Sequence, residues 1–342
     1  MKTDQAVKRR RPSGGNALHF IQQNIIFVVL LILIVAIAII NPMFVSLNVL
    51  KDLLIQNSTR LIIASGMALI LIVGGVDLSA GRSVGLAAVI AASMMQTADY
   101  SRRFYPDLPQ INLIIPVVIA VAVCALFGGL NGFLITKFSI PAFIATLGTQ
   151  VAIFGINSIY FDLPPNSSQP IGGIRKDFTY FGSGFVGFVP IIILIALLIL
   201  GMVWLILKKT PFGRNIYAIG GNKDAALVSG IKVASTTVLV YAIGGALFGL
   251  AGVLECARTG GGTNAYGASY EFDAIAACVV GGVSNTGGVG TIPGMIAGVF
   301  IFGIINYGLT FIGVNPYWQM IFKGLIIVAA VGVDISKNVK KR

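Results

Sequence analysis

Few side chains in this 342-residue chain could do chemistry, and their spacing restricts which chemistry. Its one histidine, His19, lies in a basic stretch near the start, which excludes histidine-based nucleophilic triads and His-rich metal sites. Cys124, Cys256 and Cys278 stand far apart in apolar surroundings and read as small core hydrophobes, not as a disulfide framework. No G-x-x-x-x-G-K-[ST] phosphate loop occurs. Gly182 to Gly187 fits G-x-G-x-x-G, but it leads into an apolar run and not from a strand into a helix. Asn57-Ser58-Thr59 and Asn166-Ser167-Ser168 match the glycosylation pattern without any further secretory signal. No catalytic residue, metal or cofactor is expected.

The remaining candidates are polar groups inside apolar runs, where a charge costs about 2.5–3.5 kcal/mol on insertion scales. Asp77 and Arg82 flank a glycine-containing break; they read either as a snorkelling pair that steadies the break or as a gate. Asn131, Thr146, Gln150, Asn157 and Asn306 are neutral amides and hydroxyls, suited to a solute rich in hydroxyl groups and equally to interhelical hydrogen bonds. Glu255 and Arg258 stand at i, i+3 and predict a local ion pair. Lys323 is expected to face a subunit interface or a watery cavity.

A different kind of chemistry, mechanical coupling, is suggested by residues 208–234. Gly220-Gly221 is expected to break the chain, and Asn222 to cap a new helix. Asp224 falls in the first turn of that helix, which carries Ala225 and Ala226. Ser229 precedes Gly230, which suits the left-handed position after the helix, and Ile231 the hydrophobic contact that follows. A short rigid helix of this kind could transmit motion if a partner gripped it; it could also be an ordinary structured loop.

The elements that must position these groups are membrane helices. Hydrophobic residues make up 56% of the chain and charged ones only 11%, against about 25% in soluble domains; mean hydropathy is +0.91. Apolar runs at 25–40, 60–75, 83–97, 112–135, 141–160, 188–207, 235–256, 272–283, 291–310 and 316–333 predict an all-α polytopic bundle of about ten spans. If the N-terminus is inside, cytoplasmic segments hold 16 of the 24 Lys and Arg, which predicts N-in and C-in. This bias accounts for the net charge of +12 without nucleic acid.

The organisation expected is a basic cytoplasmic arm (1–24), a transmembrane domain (25–333) and a cytoplasmic tail (334–342). Residues 44–58 read as an interfacial helix outside the membrane. Residues 98–111 and 161–187 read as external loops, the longer being mobile or a docking surface. Val73-Gly74-Gly75-Val76 and Val280-Gly281-Gly282-Val283 form a weak internal repeat, as in transporters with duplicated, glycine-interrupted spans. The apolar segment 25–40 is too long for a typical signal peptide.

Three blocks carry a resemblance: VGGVDLSAGRSVGLAAVIAASMMQ at 73–96, TPFGRNIYAIGGNKDAALVSGIKV at 210–233, and 270–328. They resemble the ribose/galactose-type monosaccharide ABC transporter permeases. DLSAGR at 77–82 and NYGLTFIGVNPYWQ at 306–319 are most similar to the methyl-galactoside branch. The resemblance covers roughly 47–334 and weakens in the arm and the two external loops. It implies a homodimeric importer permease in the bacterial cytoplasmic membrane. A cytoplasmic ABC ATPase would dock at Gly220 to Ile231, and an external sugar-binding protein would deliver galactose or a methyl galactoside. The alternatives are an ion-coupled secondary sugar transporter, or an ABC permease for ribose or xylose.

Overall fold

A computed structural model describes residues 25–339; the arm 1–24 and residues 340–342 lie outside the described part. Its elements run in chain order as α1 (Ile25–Ile40), a 3-10 turn (Pro42–Val45), α2 (Leu47–Ile72), α3 (Ala80–Met94), α4 (Ile114–Lys137) and α5 (Ala142–Asp162). They continue with α6 (Lys176–Ser183), the strands β1 (Phe185–Val186) and β2 (Val189–Pro190), α7 (Ile191–Lys209), α8 (Pro211–Gly221) and α9 (Lys223–Val228). The last are α10 (Val233–Thr259), α11 (Tyr270–Val280), α12 (Ile292–Phe311) and α13 (Pro316–Val339).

Six of these helices are long and apolar enough to cross a bilayer: α2, α4, α5, α7, α10 and α12. The centre of the bundle is made by α2 and α10, whose most apolar windows are 83% and 67% buried. In contrast, α4, α5 and α7 bury under a third of theirs and present Leu126, Val151 and Leu197 outward, as lipid-facing or subunit-facing helices do. Close backbone approach fixes the α10 contacts. A Cβ on Gly245 would stand 2.3 Å from the Cys124 carbonyl of α4, and one on Gly252 2.3 Å from the Val84 carbonyl of α3. In lipid, such packing replaces hydrophobic burial as the force between helices.

Three elements differ from the pattern read in the sequence. Residues 44–58 are no separate interfacial helix, for α2 runs unbroken from Leu47 to Ile72, started by Ser46 accepting from the Val49 amide. Lys51 and Asp52, which interrupt the apolar pattern, sit on a helix surface and do not end it. Second, the apolar run 272–283 holds only the 11 residues of α11, about 17 Å of helix and half a hydrocarbon core. Third, loop 161–187 has its own structure: α6, tied to loop 98–111 by Arg175 Nη1 donating to the Ile111 carbonyl (2.8 Å), followed by the first strand of the β1–β2 hairpin. There the Arg175 guanidinium holds the Asp177 carboxyl below the ordinary carboxylate range, so the pair stays ionised at mildly acidic pH.

Both copies of the VGGV repeat end a helix in the same way. Gly74 (φ +90°) and Gly282 (φ +84°) are left-handed, and each donates to the carbonyl three residues back, Leu71 and Val279. The next amides, Gly75 and Val283, donate to Ile70 and Cys278, completing two Schellman turns. The structural equivalence pairs Gly74 with Gly282, one residue off the match of letters.

Candidate translocation site and cytoplasmic helix

Two discontinuous helices bring the intramembrane polar groups together. α3 starts after the break 73–79, and α11 after the non-helical stretch 260–269. Their N-termini meet: Gly81, at the start of α3, lies against the Glu271 carboxylate and the backbone of Gly267.

At the first break Asp77 is fully buried. It accepts from the Ser79 amide (2.8 Å) and hydroxyl (2.6 Å) and, at 3.4 Å, from Asn131 of α4. The Asn131 amide also donates to the Ser79 hydroxyl at 3.0 Å, while its carbonyl oxygen accepts from Thr149 of α5 at 2.7 Å. One hydrogen-bonded chain thus ties the break to α4 and α5. Arg82 takes no part in it and forms no pair with Asp77. Its guanidinium lies 4.2 Å over the Phe154 ring of α5.

The second break carries Glu271, which sequence reasoning missed. It is 2% exposed, and Gln150 of α5 donates to its Oε1 at 3.0 Å. The available signal was an acid in the first turn of an apolar helix that follows a glycine-rich stretch, where the helix dipole favours negative charge. Asn157, one helical face along α5, is 1% exposed with its carbonyl oxygen unpartnered. Thr146 is satisfied by its own helix, donating to the Ala142 carbonyl at 2.8 Å. Asn306 lies apart, lining a small recess with Arg60, Tyr270 and Asp273.

Both remaining ionic expectations have partners. Glu255 pairs with Arg258 at 2.6 Å as the i, i+3 spacing implies, and also accepts from Thr59 of α2 at 3.1 Å. Arg258→Ala should leave Glu255 buried without its cation and cost about 3–5 kcal/mol, read as a lowered melting temperature in detergent. Lys323 reaches Asp273 at 2.8 Å, pinning α13 to α11. Lys323 thus has a partner within the chain and keeps 22% of its side chain exposed.

Residues 208–234 fold as the end of α7, then α8, α9, a turn and the start of α10. Asn222 caps α9 by accepting from the Ala225 amide at 2.9 Å. Gly230 (φ +82°) and Ile231 donate back to Leu227 and Ala226, closing a Schellman turn, and the Ser229 hydroxyl donates to the Ala225 carbonyl at 2.8 Å. The chain does not break at Gly220-Gly221: both belong to the last turn of α8, and the direction changes at Asn222. Ala226 is buried at 3%, whereas Leu227 and Val228 are 62% and 90% exposed. The apolar tip is thus formed by two residues that the sequence places on the helix without marking them as its contact face. Beside it opens a groove of about 370 Å³ lined by Phe212, Asn215, Gly230 and Ile231.

Buried helices crossed by polar chains, two half-length helices meeting inside the bundle and an apolar knob on α9 together define a polytopic membrane permease. The chain belongs to the family described as branched-chain amino acid transport system / permease component, whose model matches residues 49–331. It is 45% identical over 329 residues to the galactose/methyl galactoside import permease protein MglC of Escherichia coli K12, covering 95% of this chain and 97% of that one. Identity to the protein of the same name from Haemophilus influenzae is 47% over 335 residues, or 96% and 98% of the two chains. The ribose import permease protein RbsC of Bacillus subtilis is 36% identical over 344 residues, covering 99% of this chain and all of that one. No solved structure matches the chain.

Proposed function

We propose that this chain is the membrane permease subunit of an ATP-driven importer for galactose or a methyl galactoside, working in the bacterial cytoplasmic membrane. The observation that carries the reading is the 45–47% identity to galactose/methyl galactoside permeases along nearly the whole chain, against 36–40% to ribose permeases. An external sugar-binding protein delivers the substrate, and a separate ABC ATPase hydrolyses ATP. Two copies of the chain enclose the pathway, with annular lipid around them. No nucleic acid is involved.

The chain crosses about ten times with both ends inside, α1, α3, α11 and α13 joining the six long apolar helices, and 1–24 and 334–342 in the cytoplasm. The ATPase grips Gly220 to Ile231, and α9 is the moving part. Asp77, Asn131 and Thr149 hold the first break in register with α4 and α5, and Arg82, Gln150 and Asn157 border the path. Thr146 and Asn306, candidates on sequence grounds, have weaker support, being bonded within its own helix and set apart in a separate recess.

Uptake by proteoliposomes that hold permease, ATPase and binding protein tests this. Labelled galactose should accumulate only with ATP inside, and excess ribose should compete poorly. Uptake that follows a proton or sodium gradient without ATP would instead identify an ion-coupled transporter.

A further inference from the structure

Between α10 and α11 the chain is non-helical from Gly260 to Ser269. Its outer end is fixed by Gly262 and Ile171, which exchange two backbone hydrogen bonds of 2.9 Å. From there it runs down α3. Gly262 lies against Ala88 and Ala92, the Tyr266 carbonyl against Gly85, and Gly267 against the Gly81 carbonyl. Eleven residues of α3 separate Gly81 from Ala92, so the stretch descends about 16 Å.

Its depth follows from α10. Val84 abuts Gly252, seven residues below the outer end of that helix at Thr259. Gly81 lies a turn deeper, about 15 Å down a helix of about 40 Å, and hence near the bilayer midplane. Irregular backbone at that depth is tolerated only inside protein or beside water. One edge here is covered by α3, while Ala265, Ala268 and Ser269 are exposed on the other. That open edge faces the space between the two proposed copies of the chain, where an aqueous path would run.

At the foot of the stretch two buried acceptors lack donors: Glu271 Oε2 and Asn157 Oδ1, on side chains 2% and 1% exposed. Both approach the same face of α3. A Cβ at Gly81 would stand 2.1 Å from Glu271 Oε2, and one at Gly85 3.5 Å from Asn157 Nδ2. Acceptors without donors fit a ligand that brings hydroxyl groups.

We propose that Glu271, Asn157 and the open edge of Thr263–Ser269 form a midplane station that binds hydroxyl groups of the sugar in transit. This deepens the import reading and rests on it. Gly81 and Gly85 let the two side chains pack directly on α3, and Gln150 orients the carboxylate through Oε1.

Two measurements on the complete complex decide it. All three native cysteines are buried, so the wild type should be inert to a charged, membrane-impermeant thiol reagent. Ser269→Cys and Ala265→Cys should react during turnover and be slowed by galactose, whereas Leu197→Cys on the outward face of α7 should stay inert. Glu271→Gln preserves the shape and the Gln150 contact. It should cut galactose uptake roughly 10- to 100-fold while ATPase stimulation by the binding protein persists.

A Ser269→Cys variant as inert as Leu197→Cys, or Glu271→Gln importing at the wild-type rate, overturns the proposal. A wild-type complex that imports no sugar overturns the import reading and this one with it. Normal wild-type import alongside an unaffected Glu271→Gln overturns the station alone.

Discussion

Replacing Leu227 and Val228 together by aspartate should abolish sugar import while the permease still folds, inserts and melts as the wild type does. These side chains are 62% and 90% exposed at the tip of α9, so within the permease they pack on little. Burying a Leu or Val is worth about 1.5–3 kcal/mol each. If the ATPase covers both, their loss removes at least ~3 kcal/mol, or roughly 100-fold in affinity. Desolvating two carboxylates in the same groove weakens binding further. The helix itself survives, because its ends are held by Asn222 and by the turn through Gly230 and Ile231. Pull-down of the ATPase by tagged permease measures the effect directly. Wild-type capture with the double variant would refute the assignment of α9 as the gripped element. Ala226→Asp, on the same helix, would be a poor probe: Ala226 is buried at 3%, so that change attacks the fold before the interface.

What could be read in advance follows a physical division. Caps and turns are local, and so Asn222, Gly230 and Ile231 were legible from their types and order. The i, i+3 pair of Glu255 and Arg258 was legible for the same reason. Long apolar runs located α1, α4, α5, α7, α10 and α12 within a few residues. Contacts between distant segments left no such trace. Glu271 meets Gln150 across 121 positions, and Arg82 finds Phe154 on another helix. Nearness of Asp77 and Arg82 in the chain suggested a pair, but Asp77 is taken up by Ser79 and Asn131 and Arg82 by the Phe154 ring. The exposed edge of α9 also escaped, since which face of a six-residue helix is covered depends on α8 and α10. Hydropathy alone made α11 a span, yet its 11 residues cover only about half a hydrocarbon core.

The adjacent glycines at 220 and 221 should respond oppositely to the same substitution. Sequence reading gave them one role, a break before the cytoplasmic helix, yet both lie in the last turn of α8. A Cβ on Gly220 would stand 1.8 Å from the Ile72 carbonyl and 2.5 Å from the Gly288 amide, two groups that hydrogen-bond to each other at 2.9 Å. Gly220→Ala must therefore separate three backbone segments: the end of α2, the loop before α12 and the end of α8. Overpacking of this kind costs about 1–3 kcal/mol, and the lost bond leaves backbone groups unpaired for about 1–3 kcal/mol more. Gly221 has nothing within 4 Å of its Cβ position and no positive φ. Gly221→Ala should stabilise the helix by about 0.5–1 kcal/mol. Melting curves of the two variants in detergent would diverge on either side of wild type. Equal behaviour would mean that α8 does not press on the end of α2 and the loop before α12. A lowered melting point for Gly220→Ala alone would show that this junction presses on the end of α2, a contact through which movement of α9 can reach Gly74.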